Sequence, residues 1–395
     1  MEEKRSIREL ISLEFGGSAR QIVMLGVLAL IWAGFSFLTG GTFVSSRNIS
    51  NLVLQSAATA IAATSIVWVL IAGHIDLSIG SFIGFTGAIA GVCMVNLNLD
   101  VIPTILIVLA VGVILGAFQG YWVAYRNVPA FIVTLAGMQI FRGGCMMVTN
   151  GVTISPMKDG FKAIGQAYIP GIFNRDGGLN DTALMIGAVL CVIYVISQLR
   201  SIRSKKEYQL PVSPMWFLVI KMILICAAIM AVMIVLALHL GIPVALILVG
   251  GCTVLFTYIS YNTKFGKYVH AIGGNKDAAR LSGINIKKTT FIIFVVEGLM
   301  CALSSIVYTA RLNSATASAG QNMEMNVISA AIIGGTSTMG GEGSVPGAII
   351  GALIMASINN GMSIMNLPSN VQYITKGIVL LLAVWMDVAT RKKAH

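Results

Sequence analysis

The chain has 395 residues, of which 56% are apolar and only 10% charged, and its mean hydropathy is +0.87. Soluble globular proteins carry about 25% charged residues, so this composition excludes a soluble enzyme and requires many membrane-crossing helices of about 20 apolar residues each. The formal net charge is +11, but most basic residues fall in loops and tails, which the positive-inside rule explains without any nucleic-acid partner.

Residues 1–20 are polar and charged, a cytoplasmic N-terminal segment with no cleavable signal peptide. Apolar spans follow at 21–39, 51–72, 77–97, 103–125, 129–149, 182–199, 215–238, 241–260, 291–310, 324–335, 344–364 and 371–387. The runs are continuous, not alternating, which excludes a porin-type barrel. The expected fold class is an all-α polytopic membrane protein of about 12 transmembrane segments, some of them broken or re-entrant. Orientation follows from four basic clusters: Lys4, Arg5 and Arg8; Arg200 to Lys206; Lys264 to Lys288; and Arg391-Lys392-Lys393. With twelve crossings and a cytoplasmic N-terminus, all four fall on one side, together with Arg126. Span 324–335 is too short to cross unaided. Without it the last cluster faces outward, so it is expected to cross as a broken segment buried in protein. Loop 150–181, with Asp159, Asn174, Arg175 and Asp176, is then the longest outside segment. It reads either as a solvated connector or as a docking surface for a soluble partner.

Cys93, Cys145, Cys191, Cys226, Cys252 and Cys301 lie singly in or near apolar spans and read as buried thiols, not as a disulfide or metal framework. Two Gly/Ser-rich interruptions, 73–84 and 333–347, each contain Gly-Ser-x-x-Gly leading into a span. Such breaks in corresponding positions point to a transport pathway built from internal repeats; the competing reading is tight loops whose glycines permit close helix packing. The pathway candidates are Asp76, Ser78, Ser81, Thr336, Ser337, Asn359 and Asn360. Hydroxyls, amides and freed backbone groups suit a neutral polyol better than fixed charges do. Arg142, Lys221, Glu297 and Lys376 are the ionisable residues within spans. They form no carboxylate or histidine chain, which disfavours proton-coupled transport.

A polar island lies at Ala271-Ile-Gly-Gly-Asn-Lys-Asp-Ala-Ala-Arg-Leu-Ser-Gly-Ile-Asn-Ile286. Gly273-Gly274 turns the chain, Asn275 is a good N-cap, Asp277 suits the first turn, and Gly283 is a C′ stop. The product is a two-turn helix of roughly 10 Å, too short to be stable alone in water. Projected into the cytoplasm, it is offered to a partner. No phosphate loop, His-Glu-x-x-His, Cys-x-x-Cys or Gly-x-Ser-x-Gly occurs. If ATP drives the protein, another chain binds it.

Asp277-Ala-Ala-x3-Gly283 resembles the coupling-helix signature of ABC importer permeases, and the longer string around it is similar to the ribose/xylose/galactose branch. Ile75-Asp-Leu-Ser-Ile-Gly-Ser81, Val128-Pro-Ala-Phe-Ile-Val-Thr-Leu-Ala-Gly-Met138, Ile333-Gly-Gly-Thr-Ser337 with Gly340-Gly-Glu-Gly-Ser344, and Asn360-Gly-Met362 agree with it. The resemblance implies an importer core of about ten spans within one permease domain, 21–390. The extra pair 182–238 and the ending Leu380-Leu-Leu-Ala-Val-Trp-Met-Asp387 resemble xylose or multiple-monosaccharide permeases. The resemblance further implies that loop 261–290 meets a cytoplasmic ATP-binding subunit through Asn275, Asp277, Ala278, Ala279, Arg280 and Gly283. A sugar-binding protein outside, a second permease copy, surrounding lipid and the bacterial inner membrane complete the implied setting, with no cofactor on this chain. His74 and Glu342 depart from the family pattern. The competing class is a stand-alone secondary transporter or channel for a small neutral solute, which has no need of a capped cytoplasmic helix.

Overall fold

The computed structural model describes residues 19–173, 178–210 and 213–391. Lys4, Arg5, Arg8, Asn174, Arg175, Asp176, Lys392 and Lys393 lie outside them. The described chain is all-α. In order, its helices are α1 Ala19–Leu38, α2 Ser46–Ile71, α3 Ile79–Gly91 with a wider turn over Val92–Asn96, α4 Val101–Ala124 and α5 Ala130–Thr149. Then come the short α6 Asp159–Gln166, α7 Asp181–Glu207, α8 Met215–Ala237, α9 Val244–Asn262, α10 Lys264–Gly274 and α11 Lys276–Leu281. The last four are α12 Ile286–Leu312, α13 Met323–Ile333, α14 Val345–Ile364 and α15 Ser369–Arg391.

Nine of the described helices are long and apolar enough to cross a membrane, fewer than the twelve spans expected. α1 and α13 contain the shorter apolar stretches Val23–Leu38 and Met323–Ile333. Capping residues set several boundaries as local chemistry dictates. The Asn180 side chain accepts from Ala183 N at 2.9 Å, Asn285 from Lys288 N at 3.0 Å, and Ser344 from Gly347 N at 3.1 Å.

α2 is the axis of the molecule. Its apolar stretch is 89% buried, and it packs against α9, α12, α13 and α14. Small residues make this possible: Ala57, Ala58, Ala60, Ala62 and Ala63 let neighbouring backbones approach, and Ser304 Oγ reaches Ala58 O at 2.7 Å. By contrast only 6% of the apolar stretch of α8 is buried. α7 and α8 pack on each other at the periphery, joined through Ala183, Ala237 and Ile242. Their wide apolar surface suits lipid.

α3 and the half-length helix α13 start next to each other. Residues 72–78 leave α2 without helical structure before α3 begins, and residues 313–322 do the same before α13. The second segment runs antiparallel to α3: Ala315 lies against Gly91, Ala319 against Gly84 and Gly320 against Gly80. Eleven residues separate Gly80 from Gly91, about 16 Å of helix. A Cβ on Gly84 would strike Ala319 O, so glycine there is a packing requirement. The carbonyls this segment leaves unused by helix are met by Arg142, whose Nη1 donates to Ala319 O at 2.8 Å and Ala317 O at 3.2 Å. That gives the half-buried arginine of α5 a structural task. The break that answers 73–84 is thus 313–322, whereas 333–347 is a loop at the other end of α13. All six cysteines are free; Cys93, Cys145 and Cys301 are buried, and Cys191, Cys226 and Cys252 only partly so.

Candidate functional site

Beside the start of α13 the helices part around a cavity of about 320 Å³, within the range of roughly 300–1,000 Å³ typical of small-molecule sites. α2 contributes Gln55 and Thr59, α12 Tyr308 and Arg311, α13 Met323 and Asn326, α14 Met355 and Asn359, and α15 Lys376. Gln55 and Thr59 are four residues apart and share one helix face. The side-chain oxygens of Asn326 and Asn359 take no hydrogen bond within the described residues. Amides, hydroxyls and two cations around an otherwise apolar wall can hydrogen-bond a small polyhydroxyl ligand.

The sequence-predicted pathway residues are not all gathered here. Asn359 lines the cavity. Its neighbour Asn360 faces away and accepts from Asn48 Nδ2 at 2.8 Å, tying α14 to α2. Asp76, Ser78 and Ser81 are buried where 72–78 enters α3. Asp76 Oδ1 accepts from Ser78 N at 2.6 Å and Ser78 Oγ at 2.7 Å, Gln119 Nε2 donates to Ser78 Oγ at 2.8 Å, and Ser81 Oγ donates to Ser78 O at 3.0 Å. The Asp76 carboxyl also meets that of Glu297 on α12. Thr336 and Ser337 are fully buried in loop 334–344, where Asp387 Oδ2 accepts from Ser337 Oγ at 3.5 Å and from Thr338 N at 3.2 Å. Sequence reading passed over Gln55, Thr59, Asn326 and Arg311; the available signal was single polar residues inside apolar spans.

At the end of the molecule that carries the basic cluster Lys264 to Lys288, α11 forms as its residues dictate. Asn275 Oδ1 accepts from Asp277 N at 3.1 Å and Ala278 N at 2.9 Å, and Gly283 stops the helix at φ +81°. Asp277, Ala278 and Arg280 are exposed, whereas Ala279, 4% exposed, anchors the helix to the protein. The most prominent outward group is Leu281, 90% exposed. α11 is joined to the core through α10. A Cβ on Gly273 would collide with Ile71 O at the end of α2. Gly341 N donates to that same Ile71 O at 2.8 Å, and His270 Nδ1 lies 3.0 Å from Gly341 O. α10 thus connects α11 to the end of α2 and to loop 334–344.

The family model described as branched-chain amino acid transport system / permease component matches residues 48–384. The chain belongs to this permease family. It is 42% identical over 371 residues to the xylose transport system permease protein XylH of Haemophilus influenzae, covering 94% of this chain and 96% of that protein. It is 41% identical over 377 residues to XylH of Escherichia coli K12, covering 94% and 92%. It is 32% identical over 345 residues to the ribose import permease protein RbsC of the same strain, covering 87% of each. No solved structure matches the chain. With its apolar helices, this family member is a multi-pass protein of the bacterial inner membrane and a transport subunit, not an enzyme.

Proposed function

We propose that this chain is the membrane-spanning subunit of an ATP-driven importer for a monosaccharide, a pentose such as xylose or a related hexose. The observation that carries the ATP-driven part is α11: a capped helix of six residues, anchored by Ala279, that holds Leu281 90% exposed beside the cytoplasmic cluster of basic residues. A separate ATP-binding subunit receives this helix. Its movement passes through α10 and the Gly273–Ile71–Gly341 junction to α2, α13 and α14, three of the helices around the cavity. The names of the relatives supply the sugar, and the amide-rich lining suits it. A sugar-binding protein delivers the substrate from outside, and a second copy of the chain completes the pathway.

Twelve crossings belong to the same proposal. Segment 313–322 follows α3 for about 16 Å, and the 11 residues of α13 add about 16 Å more. That sum matches a hydrocarbon layer of about 30 Å. Asp76, Ser78 and Ser81 then serve as the hinge at the α2–α3 break, and Thr336 and Ser337 as part of the cytoplasmic gate. The test is sugar uptake by vesicles holding the chain with its ATP-binding subunit: Gly283→Pro should leave the protein in the membrane and uncouple ATP hydrolysis from uptake. Normal coupling in that variant would refute the assignment of α11.

A further inference from the structure

A second cavity of about 320 Å³ opens at the cytoplasmic end; it shares no lining residue with the first, and its chemistry is different. Lys276 and Arg280 enter it from α11, Lys287 from the first turn of α12, and His74 from the segment after α2. Asn127, Asn285 and Thr290 add hydrogen-bonding groups, and no carboxylate lines it among the described residues. Arg280 does approach Asp277, but only at 4.0 Å and with both side chains mostly exposed, a pairing of little strength. The other lysines of the Lys264 to Lys288 cluster, Lys264, Lys267 and Lys288, stay outside the cavity. Positive-inside placement asks only that basic residues lie on this side; it does not ask three of them, from two helices, to converge on one concave space. His74 senses the field, since burial, and then the charge of Lys276, hold its ring at a pKa of about 4.

We propose that this cavity is a binding site for a phosphate group, with Lys276, Arg280 and Lys287 as its charged ligands and Asn127, Asn285 and Thr290 as hydrogen-bonding partners. A guanidinium fork and two ammonium groups around a small space suit a tetrahedral dianion, and the remaining volume takes a small organic body. Two of the three cations lie on α11, so an occupant bridges α11 to α12 and restrains the helix that faces the cytoplasm. The phosphate comes either from a free phosphate ester or from an anionic lipid headgroup at the membrane surface. The site lies outside the sugar pathway and does not depend on the transport reading.

The test is amine acylation of the full-length chain in phosphatidylcholine nanodiscs, read by mass spectrometry at Lys276 and Lys287 with Lys264 and Lys267 as internal references. The probes are glycerol 3-phosphate in solution and phosphatidic acid in the disc. At about ten times its Kd a ligand leaves a site free roughly a tenth of the time, so labelling at Lys276 and Lys287 should fall about tenfold while the references are unchanged. Protection by glycerol 3-phosphate assigns the soluble source, and protection by phosphatidic acid alone assigns the lipid. The paired variant Arg280→Gln with Lys287→Gln should abolish protection at Lys276. An independent readout is the ¹⁵N signal of the His74 ring, whose protonation midpoint should rise when an anion offsets Lys276. Absence of protection by either probe, equal protection in the paired variant, or protection that appears only on adding the ATP-binding subunit without any phosphate would overturn the proposal. The last result would mean that these cations dock a protein.

Discussion

Leu281→Ala isolates the contact that α11 offers. A single exposed leucine is ordinary on a protein surface, but this one is 90% exposed at the tip of a helix otherwise made of polar and small residues. Fully burying a leucine side chain contributes about 1.5–3 kcal/mol. If docking buries it, truncation to alanine removes most of that, about 2 kcal/mol, and about 1.4 kcal/mol is tenfold in Kd. The ATP-binding subunit should therefore bind about thirty-fold more weakly. The folded protein should be unaffected within about 0.5 kcal/mol, as for surface substitutions away from special features. Titration of the labelled ATP-binding subunit onto the chain in nanodiscs measures the Kd, and a thermal melt of the chain alone measures the fold. Ala279→Asp is the contrasting variant: at 4% exposure it forces a carboxylate against the protein and should lower the melting temperature as well. An unchanged Kd for Leu281→Ala would show that α11 is not the docking element.

Asn359→Ala should slow sugar uptake with little change in melting temperature, whereas Asn360→Ala, which removes one of the two acceptors of Asn48 Nδ2, should cost about 0.5–1.5 kcal/mol of stability; uptake kinetics and thermal melts separate the two. Arg142→Ala strips Ala317 O and Ala319 O of their donor and should cost about 3 kcal/mol or more, with Arg142→Lys recovering part, read by the melting temperature in detergent. On a cysteine-free background a probe at Ile172 should react with an impermeant reagent from outside and a probe at Lys276 should not; the reverse pattern overturns the orientation. His74 has its pKa lowered from 6.5 to about 4, so between those values the unfolded chain binds the extra proton. Its contribution is fully present above pH 6.5 and is lost as pH falls towards 4, up to roughly 3 kcal/mol; His74→Gln should flatten the pH dependence of stability across that window.

What could be read from sequence was local. The Asn275 cap and the Gly283 stop specify α11 within nine residues, and the structure places both as their chemistry requires. The spans were legible for the same reason, since about 20 apolar residues need no partner to declare themselves. The path of 313–322 was not. Its non-helical backbone is tolerable only because Arg142, more than 170 residues earlier, donates to its carbonyls and because Gly80 and Gly84 leave room. Nothing in residues 313–322 themselves states this. Most of the cavity was hidden likewise: Asn359 was a candidate, but Gln55, Arg311 and Asn326 come from three other helices, and each alone resembles a polar residue used for packing. The glycines of 333–347 left two readings open, a broken span or a tightly packed loop, and what the sequence does not show is their partner: those at 340 and 341 press the loop against Gly273 and Ile71, a contact between distant parts of the chain.

ATP-driven uptake of radiolabelled xylose by proteoliposomes tests the central claim most directly, with the chain, its ATP-binding subunit and a xylose-binding protein all present. Accumulation that requires ATP inside the cytoplasmic compartment, requires the binding protein outside and collapses in Gly283→Pro is the predicted result. Uptake that proceeds down the sugar gradient without ATP, at the same rate in the wild-type chain and in Gly283→Pro, would contradict it and identify a stand-alone carrier or channel.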